Sequence, residues 1–172
     1  DIICEKIASS YPGQRILSYL VNGIQFNNKS IPYSFVSGLE SGMIDLDLAD
    51  DEIILNDWAA ADLAISVGDS VRLEYFTIGA YKELITESKK MKLVGIELNQ
   101  GQLFKQDLMP DFPGLSDAKS CGEWDTGIPI DLDLIRDKDE LYWNEFRGTP
   151  KAIVSYASAN RMWANAFGSA TA

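Results

Sequence analysis

The sequence predicts an α+β fold, a mixed or antiparallel sheet with helices packed on it. Three observations carry this. Short apolar or alternating runs, bounded by Gly, Pro and Asn, recur from Ile16 to Tyr156 and read as strands. Near the end, Ala159, Met162, Trp163, Ala166 and Phe167 fall at the i, i+3, i+4, i+7 and i+8 spacing of an amphipathic helix. The 172 residues are 46% hydrophobic and 24% charged, enough to bury a core in one domain spanning residues 1–172. Two lobes are also open, because "QDLMPDFPGLSDAKSCGEWDTGIP" holds three Pro and three Gly. Phe112, Leu115 and Trp124 give that stretch apolar material to bury, so a long ordered loop is expected there.

The elements follow in order. Strands are expected over residues 16–21 and 24–26, with Asn22-Gly23 as a hairpin turn between them. Asn27-Asn28 and Pro32 mark a second turn, before a strand over 33–38. An acidic connection, "SGMIDLDLADD", leads to a short strand over 52–55. Asn56 is placed to cap a helix whose apolar side is Trp58, Ala61, Leu63 and Ile65. Gly68-Asp69 turns the chain into a strand over 70–76, where Val71, Leu73 and Tyr75 share one face. A further strand covers 91–96. Asp131 or Asp133 is expected to cap a helix running to about Phe146, closed by Gly148 and Pro150. A strand over 151–156 and a helix over 158–167, stopped by Gly168, complete the chain.

Charge and composition exclude several classes. The net charge is −11 and the pI about 4.4, which disfavours nucleic acid and anionic lipid as partners. There is no histidine, which removes Ser-His-Asp and Cys-His catalysis and most zinc sites. No apolar run approaches the ~20 residues of a spanning helix; "WAAADLAISV" is short and contains Asp62. The opening "DIICEKIASS" has no signal-peptide pattern, and with "FGSATA" at the other end the expectation is an excerpt of a longer chain. Cys4 and Cys121 allow one disulfide or two inert buried thiols, and the second is favoured.

The most chemically loaded stretch is "DKDELYWNEFRGTPKA". Leu134, Ile135, Leu141, Tyr142 and Phe146 make an irregular apolar stripe at helical spacing, with Asp137, Glu140 and Asn144 on another side. Arg136 and Glu140 are i,i+4 neighbours and expected to form a surface ion pair. Paired carboxylates suit a glycosidase, which makes Asp137, Glu140 and Glu145 candidates for a hydrolase. A solvated helix face explains the same acids without chemistry, and is preferred. "DLDLADDE" offers carboxylates to calcium but lacks the EF-hand spacing and turn glycine, so an exposed acidic loop is expected. "VSGLESG" and "GSATA" lack the Lys-Ser/Thr of a phosphate loop. Ser9, Ser10 and Ser37 lack a base. Trp58, Trp124, Trp143 and Trp163 are expected in packing, and Asn28-Lys29-Ser30 is formally a glycosylation signal. No catalytic residue, cofactor or metal site is assigned.

Taken together, the stretches resemble a known family. "EIILNDWAAADLAISVGDSVRLEYF" is similar to the extracytoplasmic segment of FtsX-like ABC-transporter permeases, through Ile54, Asn56, Ala60 or Ala61, Leu63, Val67, Gly68 and Asp69. "KLVGI" resembles the strand that follows. "LMPDFPGLSDAKSC", "EWD" and "IDLDLIRDKDELYWNEFRGTPKAIVSYASANRMWANAFGS" are similar to a long-insert bacterial subgroup, and the likeness covers roughly residues 33–171. The resemblance implies a non-catalytic, MacB-like periplasmic domain held at the inner membrane. It implies a cytoplasmic ATPase subunit as partner through membrane helices, with a second permease copy or a periplasmic adaptor as further partners. A secreted or periplasmic module binding carbohydrate or lipid is the alternative.

Overall fold

The computed structural model describes residues 14–42, 47–108, 112, 114–124, 127, 129–164 and 171. It is α+β as expected, but its strands close into a six-stranded barrel rather than an open sheet. The strands are β1 (Ile16–Phe26), β2 (Lys29–Leu39), β3 (Glu52–Asn56), β4 (Ser70–Ile78), β5 (Leu84–Glu97) and β6 (Ala152–Ser155). Around the barrel they run β1-β2-β6-β3-β5-β4. β2 with β6 and β3 with β5 are parallel, and the other pairs are antiparallel. Closure rests on a short pairing of Gly23–Gln25 in β1 with Arg72–Glu74 in β4. Such a pairing between distant segments leaves no local trace in the sequence.

The expected Asn22-Gly23 hairpin is not formed. β1 runs straight through it, with Val21 opposite Ser34 and Gly23 opposite Pro32. The turn is at Asn27-Asn28, where Asn27 takes φ 52, a left-handed value that asparagine tolerates. An eleven-residue partner strand outweighs the local turn preference, and Pro32 lies within that strand rather than in a turn. β5 is also longer than expected. Its first residues, from Leu84 to Ser88, are exposed on both faces and so show no alternation to read.

The helices are α1 (Asp57–Leu63), α2 (Asp137–Phe146) and α3 (Tyr156–Trp163). Asn56 caps α1 as expected, its Oδ1 accepting from the Ala59 amide at 2.8 Å. The buried side of α1 is Ala59, Ala60 and Leu63, while Ala61 is exposed and Trp58 half-buried. α2 does not start at Asp131 or Asp133. Asp131 instead caps a separate 3-10 turn, Leu132–Leu134, and the chain is extended again at Ile135 and Arg136. That break leaves Leu134 and Leu141 more than half exposed, off the stripe expected of them. α3 starts at Tyr156, capped by Ser155 Oγ at 3.1 Å from the Ser158 amide, and buries Ala159, Met162 and Trp163. Ala166, Phe167 and Gly168 lie outside the described residues.

The barrel interior is filled by Val36, Ile53, Leu55, Val71, Leu73, Met91, Leu93 and Val154, as strand alternation dictates. Val71, Leu73 and Tyr75 share the inner face, as expected. Trp163 stacks on Tyr19 at 5.1 Å and meets Tyr75 edge-on at 6.0 Å, so α3 packs on the barrel through β1 and β4. A Cβ at Gly38 would collide with that of Ala159, and the missing side chain lets α3 lie against β2. The described residues of the long loop and its approach pack against the outside of the barrel. Phe104 covers Leu39, Ile54 and Ile153, while Leu115, Ala118 and Cys121 pack with Phe35 and Trp143. No helix among the described residues is long and apolar enough to cross a membrane.

Candidate functional site

The polar side chains converge where α1, α2 and the start of β6 meet. Thr149-Pro150 brings the chain from α2 into β6 and delivers Lys151 into the interior. Its backbone N–H donates to Phe35 O at 2.9 Å, and the residue is only 5% exposed. The ammonium lies 4.6 Å from the Trp58 ring centre and 4.5 Å from that of Tyr142. Both rings are within cation–π range. Its counter-charge is Asp139, at 3.9 Å.

Asp139 does three things at once. Its Oδ2 accepts the Arg136 backbone N–H at 3.0 Å, closing the first turn of α2. The carboxylate takes the Arg136 guanidinium in a two-pronged pair, both bonds 2.6 Å long. It also faces Lys151. Arg136 reaches on to Asp62 at 2.8 Å, and Lys138 pairs with the same Asp62, so α1 and α2 are tied by charge.

Beside this network lies a neutral one. The Asn56 amide nitrogen is 3.0 Å from Tyr142 Oη and 3.3 Å from both Pro150 O and Asn99 Oδ1. The Tyr142 hydroxyl has Thr149 O at 3.1 Å and Asn99 Oδ1 at 3.3 Å as acceptors. Asn56 therefore caps α1 with its oxygen and holds the α2–β6 turn with its nitrogen.

Burial governs the titration of these groups. It pushes Lys151 down to about 8, against the pull of Asp139 and with the repulsion of Arg136. Burial also pushes the Tyr142 hydroxyl up, although the Asn56 hydrogen bond opposes it. Cys121 is a buried thiol pushed up by burial and by Glu140. Such a thiol is chemically inert. Cys4 lies outside the described residues.

The cavity beside Lys151 is lined by Tyr33, Cys121, Trp124, Tyr142 and Trp143 among others, and offers about 20 Å3 to the centre of a water-sized sphere. That holds one water, whereas ligand sites run to hundreds of cubic ångströms. A wider groove of about 440 Å3 opens between Glu40, Asp47, Asp50 and Tyr156. Two of its lining acids are paired, Glu40 with Arg15 and Asp50 with Arg161.

The carboxylates of the hydrolase reading are not assembled as a catalytic pair. Asp137 and Glu145 are exposed. Glu140 accepts the Cys121 backbone N–H at 3.0 and 3.2 Å, pinning the loop to α2. The expected Arg136–Glu140 pair is replaced by Arg136 with Asp139 and Asp62, because Arg136 is the residue before the helix rather than within it. In the acidic stretch Asp45 lies outside the described residues. Glu52 accepts the Ala49 amide at 3.0 Å, and Asp51 O accepts the Lys92 amide. Among the described residues no group of three or more acidic, Cys or His side chains could hold a metal ion. Ser37 is buried and bonded to Ser18 at 2.7 Å. Ser9 and Ser10 lie outside the described residues. Lys151, Asp139 and Asp62, the centre of the cluster, were not singled out by sequence. The one available signal was a lysine opening the apolar run "KAIVSY", a position that a buried strand rarely gives to charge.

Compared with known proteins, the chain matches no family model, and no curated protein matches it.

Proposed function

We propose that the chain is the non-catalytic extracytoplasmic domain of an ABC-transporter permease of the FtsX-like kind. On the periplasmic side of the inner membrane it handles substrate or a partner protein, and membrane helices couple it to a cytoplasmic ATPase. One observation carries the reading. The stretches that resemble the family, "NDWAAADL" and "DELYWNEFRGTPKA", meet in one buried unit through Asn56, Asp139, Tyr142, Thr149 and Lys151. Their polar groups are engaged in holding α1, α2 and β6 together, which is what a structural signature requires and a catalytic one does not. The alternative, a carbohydrate- or lipid-binding module, draws less support. All four tryptophans are buried or half-buried, and Tyr81 is the one exposed aromatic among the described residues.

The test is the full-length gene and its product. Apolar spans of about 20 residues should flank this chain, and the product should co-purify with an ATPase whose turnover changes when residues 14–164 are deleted. A gene encoding this soluble chain alone, or an ATPase indifferent to the deletion, sinks the reading.

A further inference from the structure

Several strands of the barrel are paired on one side only over part of their length, and β5 is one of them. β5 pairs with β4 from Leu84 to Lys92 but with β3 only from Lys92 to Glu97. The parity of its backbone can be read from three bonds. Leu93 donates to Asp69 O and accepts from Gly68 on the β4 side, whereas Lys92 donates to Asp51 O on the β3 side. Alternation then turns the N–H and C=O of Leu84, Thr86, Ser88 and Lys90 to the Lys92 side. Among the described residues no strand runs there. This is an unpaired edge about 20 Å long at the usual strand rise.

The edge has a chemistry of its own. Residues from Leu84 to Ser88 are exposed on both faces, so this part of the hairpin stands clear of the barrel. Ile78, Tyr81, Leu84 and Ile85 expose apolar surface at its tip, Tyr81 at 92%. Towards the barrel the same strand carries Lys90 and Lys92 on one face, in a chain of net charge −11, while Lys89 on the other face donates to Ser158 Oγ at 2.8 Å. Arg72 lies directly across from Lys90 and adds to the positive charge. Like charges opposed across a strand pair are unfavourable, so two copies of this edge paired parallel and in register repel each other. The same charges suit an incoming strand that is acidic.

We infer that the β5 edge from Leu84 to Lys90 accepts an extended acidic segment of a partner protein as an added strand. Main-chain bonds to Leu84, Thr86, Ser88 and Lys90 give the pairing, apolar side chains meet Leu84 and Ile85, and acidic ones meet Lys90 and Lys92. The inference stands on the barrel's topology and not on the permease reading, so either can fail alone.

Two twelve-residue peptides test it, alternating valine or threonine with glutamate in one and with lysine in the other. The readout is amide hydrogen exchange of the whole chain by NMR. The glutamate peptide should slow exchange at Leu84, Thr86, Ser88 and Lys90 at least tenfold, and the lysine peptide should leave it unchanged. Ser88→Pro removes an outward N–H and no bond to β4, so it should abolish the protection while β6 amides stay slow. Ser88→Ala should keep it. Absence of protection by the glutamate peptide overturns the inference and leaves the lysines as guards against aggregation. Equal protection by both peptides overturns it too. Protection that grows with protein concentration alone would make a second copy the occupant, contrary to the inference.

Discussion

Two parts of the barrel wall differ in how they are covered. The β2–β6–β3 part is buried on both faces: Val36, Val154 and Ile53 point inward, while Phe35, Ile153 and Ile54 point outward under the loop. The outer end of the β4–β5 hairpin is bare on both faces and along one edge. The strands use the same backbone bonding. What separates them is the ~25 cal/mol per Å2 gained wherever apolar surface leaves water. The covered part supplies stability and fixes the polar cluster. The bare part contributes little to stability and retains unpaired groups for a partner.

The largest expected effect lies where the two parts join. Trp163 stacks on Tyr19 of β1 and meets Tyr75 of β4, so it seals the barrel at the root of the hairpin. Trp163→Ala should cost roughly 3–5 kcal/mol in chemical denaturation, the range for a buried aromatic. A cost under about 1 kcal/mol would mean that α3 is not part of the core, and Trp163 would become a candidate contact residue instead.

Next comes the charge cluster of the covered part. Asp139→Ala removes the counter-charge of buried Lys151 and the cap of α2 together, and should cost roughly 3 kcal/mol. Lys151→Met removes the buried cation itself while leaving Asp139 to Arg136. It should lie within about 1 kcal/mol of the parent, since a well-packed apolar replacement escapes the desolvation penalty. The asymmetry between the two is the measurement. Equal losses would mean that Lys151 contributes net stability through its aromatic contacts.

The third effect is smaller and depends on pH. Lys151 titrates near 8 in the folded chain, below the value near 10.5 of an open lysine. Between those values the unfolded chain holds a proton that the folded chain has released, so this group's contribution to stability rises with pH. Cys121 and Tyr142 are shifted up and act in the opposite sense once the unfolded chain begins to lose their protons. Lys89, pushed down by burial, adds to the rise. The difference between parent and Lys151→Met isolates one group. It should change by about 1 kcal/mol per pH unit, in favour of the parent, above pH 8. A difference flat from pH 7 to 10 would place Lys151 in water.

The same contrast explains what was legible in the sequence. The inner faces were readable because alternation is local: Val71, Leu73 and Tyr75 are where the pattern puts them. So was the Asn56 cap, which involves neighbours three residues apart. Barrel closure was not, since it needs Gln25 to meet Arg72. The Asn22-Gly23 turn misled because a turn preference is weak beside a long strand pairing. The cluster around Lys151 was hidden because its members come from three elements, and a buried lysine looks like any other in one dimension. The bare half of β5 was missed for the opposite reason, having no buried face to set a period.

The smallest effects belong to the hairpin tip. Ile78, Leu84 and Ile85 are each at least 40% exposed, and they occupy the end of the ribbon farthest from the β1 and β3 pairings. Replacing any one by threonine deletes little buried surface and keeps strand propensity, because threonine is β-branched. Each change should therefore stay within about 0.5 kcal/mol of the parent, the usual range for surface positions. Amide exchange sharpens the point. Exchange at Thr86 and Ser88, whose N–H groups face the unpaired edge, should be fast without any opening and be untouched by Trp163→Ala, whereas exchange at Ile153 and Val154 should accelerate with it, because those amides open only with the whole barrel. If Thr86 and Ser88 prove as slow as Ile153, the hairpin is covered, and the division of the molecule into a stabilising half and an open half is lost.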